Sequence, residues 1–208
     1  MQTMQDETTR CKLSLISKLS DIEPNGRYAL FIRHADRDKI PDGEFGDEVE
    51  LNSLGFGNSV RYGKLLSHLK INKIYSSPIK RCLQTADYIS IGYGRDINIQ
   101  QSTLLGDPGA FVNDAKLAGR MYLEMGFAPM YEKLISGMVI PGNRNLNEAA
   151  GILNNMIISN SDPEGINIYV THDLIVALYA YAQFGKKFTP GTDWVNYLDG
   201  LIIKIETL

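Results

Sequence analysis

Three short, largely apolar runs that each end in polar residues most constrain the fold of this chain. Tyr28-Ala29-Leu30-Phe31-Ile32 leads into Arg33-His34-Ala35-Asp36-Arg37, Lys73-Ile74-Tyr75 into Ser76-Ser77-Pro78, and the run 166–170 into Thr171-His172-Asp173. Runs of this length, rich in β-formers and bounded by turn residues such as Pro24-Asn25-Gly26, read as buried strands. Helical patterns separate them. Strands that alternate with helices imply an α/β fold, a three-layer α/β/α arrangement around a mostly parallel central sheet. In open α/β sheets, ligands bind at the carboxyl ends of the strands. The polar residues stand at those ends.

The remaining elements follow the same logic. Leu13, Leu15, Ile16 and Leu19 suggest a short amphipathic helix over 9–21. An acidic, glycine-containing loop spans 36–50, with turn signals at Pro41-Asp42-Gly43 and Gly46-Asp47. Asn52-Ser53 can cap a helix over roughly 53–69. Pro78 suits the first turn of a helix that runs to about Ile89. The segment 96–100 alternates like a half-buried strand. From 104 to 150 strand signals vanish, and helical stretches alternate with Gly and Pro breaks. This region reads as a helical insertion with a capping role. A helix over 146–159, a strand over 166–171, a helix over 173–184 and a strand over 201–205 complete the chain. All 208 residues form one domain in this reading.

Composition narrows the function classes. Apolar residues make up 44% and charged residues 22%, an ordinary globular mix. The net charge of −3 leaves no electrostatic footprint for nucleic acid. Cys11 and Cys82 form no CxxC pair, and the polar first ten residues lack the apolar centre of a signal peptide. No stretch approaches the ~18 apolar residues of a membrane span. A reduced, cytoplasmic protein is expected.

The chemistry lies at the strand ends. Two of the three histidines, His34 and His172, stand there. Phosphoryl transfer passes through a loose transition state with charge spread over the equatorial oxygens. Planar guanidiniums meet such oxygens with paired hydrogen bonds. Arg33, Arg37 and Arg81 are the candidates. A neutral imidazole attacks phosphorus, and neighbouring arginines disfavour imidazolium and keep His34 neutral. His172 can hold a further position around the phosphoryl group. Asp173, next to His172, can protonate the leaving oxygen. That role requires a protonated carboxyl, which a nearby phosphate dianion favours. Three lone histidines without spaced ligand pairs give no expected metal site, and no cofactor is expected.

These residues resemble the histidine phosphatase superfamily, which includes phosphoglycerate mutases, phosphohistidine phosphatases and histidine acid phosphatases. Arg33-His34-Ala35-Asp36-Arg37 is similar to its first motif, with the second arginine three after the histidine as in acid-phosphatase-like members. Leu51-Asn52-Ser53-Leu54-Gly55 is similar to Leu-Thr-x-x-Gly, and Thr171-His172 to the late Ser/Thr-His motif. Ser76 to Ala86 meets Ser-Ser-Pro-x-x-Arg-x-x-Gln-Thr-Ala at every position. The resemblance implies a phosphohistidine on His34, a phosphate pocket of Arg33, Arg37, Arg81 and His172, and hydrolysis by water without a metal. Ala35 departs from the usual Gly. Mutase-like members take their acid from a Glu after the Gln-Thr-Ala helix. The matching stretch here is Leu104-Leu105-Gly106-Asp107-Pro108-Gly109, where Asp107 is the alternative proton donor. Acid-phosphatase-like members use the Asp that Asp173 matches.

The expected activity is a metal-independent phosphatase on a small-molecule phosphomonoester or a phosphoprotein. A phosphomutase of the phosphoglycerate mutase type and a non-catalytic phosphate-binding protein are the alternatives. The sequence assigns His68 to the surface, Lys80 to solvent and the acidic loop to a solvated edge or a lid. Met121, Tyr122, Met125, Phe127, Met130 and Tyr131 read as core of the insertion or as a substrate wall.

Overall fold

The computed structural model describes residues 11–41 and 43–207. The first ten residues, Asp42 and Leu208 therefore lie outside the described residues, and with them the expected leader-free N-terminus, the first two positions of the 9–21 helix and the middle of the Pro41-Asp42-Gly43 turn. The elements run β1 (Cys11–Ile16), β2 (Arg27–Arg33), α1 (Ser53–Leu65), β3 (Ile71–Ser76), α2 (Lys80–Tyr93), β4 (Asn98–Gln101), α3 (Ala115–Met125), α4 (Phe127–Ile135), α5 (Leu146–Ser159), β5 (Gly165–Thr171), α6 (Asp173–Phe184) and β6 (Gly200–Thr207).

Six strands form one sheet in the order β1-β6-β2-β5-β3-β4. β2, β5, β3 and β4 are parallel, and β6 and β1 extend the edge antiparallel. Side chains alternate across β2. Ala29 and Phe31 join one core with α4, α5 and α6. Tyr28, Leu30 and Ile32 join a second with Cys82, Ala86 and Ile89 of α2. The expected three-layer α/β architecture is therefore the observed one. Helical elements occupy the 104–150 region, and α3 and α4 meet at Gly126.

One expectation fails at the edge. The 9–21 segment is not a helix: 11–16 is strand β1, paired with β6 through Leu13↔Ile205 and Leu15↔Ile203. The same leucines also satisfy a period of two. Cys11, Leu13 and Leu15 pack on one core while Ile16 and Leu19 pack on the other, and the open backbone of β6 decides between the two periods. Boundaries also move. α1 ends at Leu65, which places His68 in an exposed turn beyond it. α2 continues past Ile89 to Tyr93 and stops at the left-handed Gly94.

The parallel register aligns three strand ends. Arg33 lies opposite Thr171, and Ser76 opposite Val170. The β2 end continues to a loop that α1 pins. Leu51 bridges Arg37, and Asn52 accepts from Gly55 N at 3.0 Å as the helix cap. A Cβ on Gly55 would stand 2.1 Å from the Asp36 carbonyl oxygen. Only glycine fits that approach, which accounts for the last position of the Leu-Asn-Ser-Leu-Gly motif.

Candidate active site

His34 follows the last residue of β2 and is 2% exposed. Its Nδ1 lies 2.8 Å from the Ala35 carbonyl oxygen. A carbonyl only accepts, so Nδ1 carries the hydrogen and Nε2 keeps its lone pair. Arg81 Nε donates to that Nε2 at 3.1 Å. Burial first, and then the charges of His172, Arg81 and Arg33, hold His34 well below the usual histidine range, against the pull of the Ala35 carbonyl. Its resting state is a neutral imidazole with Nε2 directed to the site.

Arg81 organises the centre from the first turn of α2. Besides His34, it donates through Nη1 to the Gly46 carbonyl at 2.6 Å and approaches His172 Nδ1 through Nη2 at 3.3 Å. Nδ1 of His172 therefore accepts, and its Nε2 donates to Ser77 Oγ at 3.1 Å. The two imidazoles stand edge to face, with centroids 5.5 Å apart. Burial, reinforced by Arg81, pushes His172 down to about 3. Cys82 packs under this pair, and burial pushes its thiol up to about 12.

The Ser76–Ala86 motif is mostly scaffold. Thr85 Oγ1 accepts from Ala35 N at 3.0 Å and donates to the Arg81 carbonyl at 2.7 Å, which ties the loop after His34 to the helix that carries Arg81. Gln84 Oε1 accepts from Leu51 N at 2.9 Å and so holds the next motif in place. Ala35 is fully buried.

The two remaining arginines differ. Arg37 lines a cavity of about 340 Å³ together with His34, Arg81, His172, Asp107 and Asp173. Its Nε is buried with no partner among the described residues, a donor that a phosphate oxygen would satisfy. Arg33 turns behind the cavity wall. It donates to the Val195 carbonyl at 2.7 Å, pairs with Asp173 Oδ2 at 3.0 Å and lies 4.1 Å over the Tyr197 ring. Its Nε too is buried without a partner.

Both candidate acids line the cavity. Asp173 accepts from Leu174 N at 2.8 Å through Oδ1, and from Trp194 Nε1 at 3.2 Å through the Oδ2 that meets Arg33. Asp107 is exposed, and its carboxylate makes no hydrogen bond among the described residues. It follows Gly106, where a Cβ would stand 2.6 Å from His172 Nε2. Among the described residues, no group of three or more His, Cys, Asp or Glu side chains is placed to hold a metal ion. No helix among them is long and apolar enough to cross a membrane.

Four contributors escaped sequence reasoning as individuals. Ser77 and Thr85 lie inside a motif read only as a pattern. Trp194 and Tyr197 belong to a closing segment with no periodic signal, and only the fold brings them beneath Arg33 and Asp173.

The buried histidines set a pH dependence of stability. The unfolded chain protonates both near 6.5, whereas the folded chain keeps them neutral to lower pH, His172 to about 3. Stability from this source is complete above about pH 6.5 and is lost as pH falls below it. Urea unfolding at pH 7 and 5.5 is expected to differ by roughly 1 kcal/mol for each histidine. A His172→Asn variant is expected to lose about half of that difference. Equal stabilities at the two pH values would contradict buried, neutral imidazoles.

Comparison with known proteins finds a sequence relative and solved structures of similar fold. The chain is 26% identical over 175 residues to a 2,3-bisphosphoglycerate-dependent phosphoglycerate mutase of Thermoplasma acidophilum, covering 82% of this chain and 84% of the relative. Its fold resembles a phosphoglycerate mutase from Bacillus anthracis, with TM-score 0.58, 13% identity and coverage of 89% and 94%. It also resembles a mycobacterial glucosyl-3-phosphoglycerate phosphatase, with TM-score 0.52, 18% identity and coverage of 76% and 79%. The model of the histidine phosphatase superfamily (branch 1) matches residues 29–105, the stretch that carries Arg33, His34, Arg37 and Arg81. Over that stretch the chain is similar to the histidine phosphatase superfamily.

Proposed function

We propose that this protein is a phosphatase that hydrolyses a phosphomonoester through a phosphohistidine on His34, without a metal ion. One observation carries the reading: a buried, neutral His34 whose Nδ1 is fixed by a carbonyl and whose Nε2 lone pair meets Arg81 at 3.1 Å. Substrate binding replaces the Arg81–His34 bond with bonds from Arg81 to phosphate oxygens, and the lone pair is then open to attack phosphorus. Arg37 completes the pocket, and His172 joins it when its Nε2–H turns from Ser77 to a phosphate oxygen. Arg33 adds its charge from behind the wall. The P–O bond to the leaving group breaks as the Nε2–P bond forms. Water then attacks the phosphohistidine and gives a proton to the carboxylate that had protonated the leaving oxygen, and the Nε2–P bond breaks to release His34 as the neutral imidazole.

Asp173 supplies the proton to the leaving oxygen in this reading. It lines the cavity beside His172 and is held by Arg33 and Trp194. One observation favours a second donor. Both Asp173 oxygens already accept hydrogen bonds, whereas Asp107 has none among the described residues. With Asp107 as donor, Asp173 becomes a positioning residue for Arg33.

The two readings separate by leaving group. Loss of the true donor is expected to lower kcat on an alkyl phosphate by about 10²- to 10⁴-fold and to spare p-nitrophenyl phosphate, whose leaving group needs no proton. Asp173→Asn is expected to show this split, and Asp107→Asn a small, substrate-independent change. The reverse pattern assigns the donor to Asp107. Equal loss on both substrates in both variants would contradict a leaving-group role for either. The likeness to a phosphoglycerate mutase favours phosphoryl shift as the alternative activity. Product analysis with a phosphoglycerate distinguishes them, since a mutase yields an isomer and little phosphate.

A further inference from the structure

We infer that the substrate carries its single phosphate on an uncharged, apolar group. The inference rests on the phosphatase reading and adds the substrate class. Beyond the phosphate end, the cavity wall is made by Phe45 from the loop before α1, Phe111, Tyr122 of α3, Met130 and Leu134 of α4, and Leu178 of α6. Phe111, Met130, Leu134 and Leu178 are buried in the main core, which fixes the shape of that wall. Phe45 meets Tyr122 with ring centroids 5.9 Å apart. The insertion and the loop after Arg37 thus both contribute carbon to the cavity.

Charge selects in the same direction. Among the described residues, Arg37 and Arg81 are the arginine or lysine side chains that line the cavity, and the phosphoryl group takes both. The other charged lining groups apart from the histidines are Asp47, Asp107 and Asp173. A second phosphate or a carboxylate on the substrate would meet carboxylates and apolar surface with no cation left to pair it. A polyol would bury hydroxyls against carbon. An alkyl or aryl group gains by leaving water for the same wall. The volume of about 340 Å³ is at the small end of ligand-sized cavities.

The test compares esters of primary alcohols, whose leaving groups have similar intrinsic reactivity. Phosphate release by the purified full chain is measured for n-hexyl phosphate, 2-phenylethyl phosphate, glycerol 3-phosphate and 3-phosphoglycerate. The kcat/KM for the two apolar esters is expected to exceed that for 3-phosphoglycerate by at least about tenfold. Tyr122→Lys places a cation in the wall and is expected to shrink that ratio by about tenfold. An equal or greater kcat/KM for 3-phosphoglycerate in the wild type overturns the substrate class and leaves the phosphatase reading standing. An unchanged ratio in Tyr122→Lys overturns the assignment of this wall as its source. No phosphate from any ester, p-nitrophenyl phosphate included, overturns the phosphatase reading and this inference with it. Isomerisation of 3-phosphoglycerate without phosphate release does the same.

Discussion

Replacing His34 by alanine is expected to reduce phosphate release by a factor on the order of 10⁵ to 10⁶, the scale seen when a covalent enzyme loses its nucleophile. The size follows from the site. His34 is the imidazole whose Nε2 is unprotonated at the cavity, where it accepts only from the displaceable Arg81, whereas the Nε2 of His172 donates to Ser77. Arg81 and Arg37 remain in the variant, so phosphate and product analogues still bind, and the loss falls on kcat. Steady-state kinetics together with equilibrium binding of inorganic phosphate separates the two effects. Substantial turnover with intact phosphate binding would mean that water attacks the ester directly and that His34 is a structural residue. Lost phosphate binding would instead place His34 in the pocket wall.

Arg81 carries the second large expectation. It touches His34, His172 and the Gly46 carbonyl at once. Arg81→Ala is expected to lower kcat by about 10²- to 10³-fold, the usual cost of one transition-state donor. It is also expected to change the pH profile. In the proposed mechanism His34 attacks only when neutral, and Arg81 is one of the charges that hold it below its ordinary range. Activity in the wild type is therefore expected to be lost only as pH falls well below 6.5. Without the arginine charge the acidic limb moves up toward 6.5. Arg81→Lys keeps the charge but loses the paired geometry. It is expected to leave the acidic limb nearly in place while kcat still falls. A pH–rate series on the two variants reads both effects. An acidic limb that stays unchanged in Arg81→Ala would contradict the coupling between the two residues.

Strand ends and helix starts were legible in the sequence where one interaction dominated. β5 and α6 follow from a largely apolar run broken by His172-Asp173, with no competing pattern. The cap at Asn52 is a local hydrogen bond, and local bonds leave local signatures. β1 was not legible, because leucines at 13 and 15 fit two periods and only the distant partner β6 selects one. The site divides in the same way. His34, Arg37, Arg81 and His172 were legible because each sits at a strand end or in the helix that follows, and parallel register then brings those ends together. The behaviour of Arg33 was not. A residue next to His34 in sequence is directed away from the cavity by the Val195 carbonyl, Asp173 and the Tyr197 ring. Those partners lie 140 to 164 residues along the chain, and no local pattern records them.

The central claim is a covalent bond between His34 Nε2 and the substrate phosphorus. Rapid-quench trapping with a phosphate-labelled ester tests it most directly, with the quench and peptide digestion kept alkaline because phosphohistidine is labile in acid. The label is expected on the peptide that carries His34, at a level that rises within one turnover and decays as free phosphate appears, and it is expected to vanish in His34→Ala. Label on another residue, or full-rate phosphate release with no labelled protein at any time, would contradict the account.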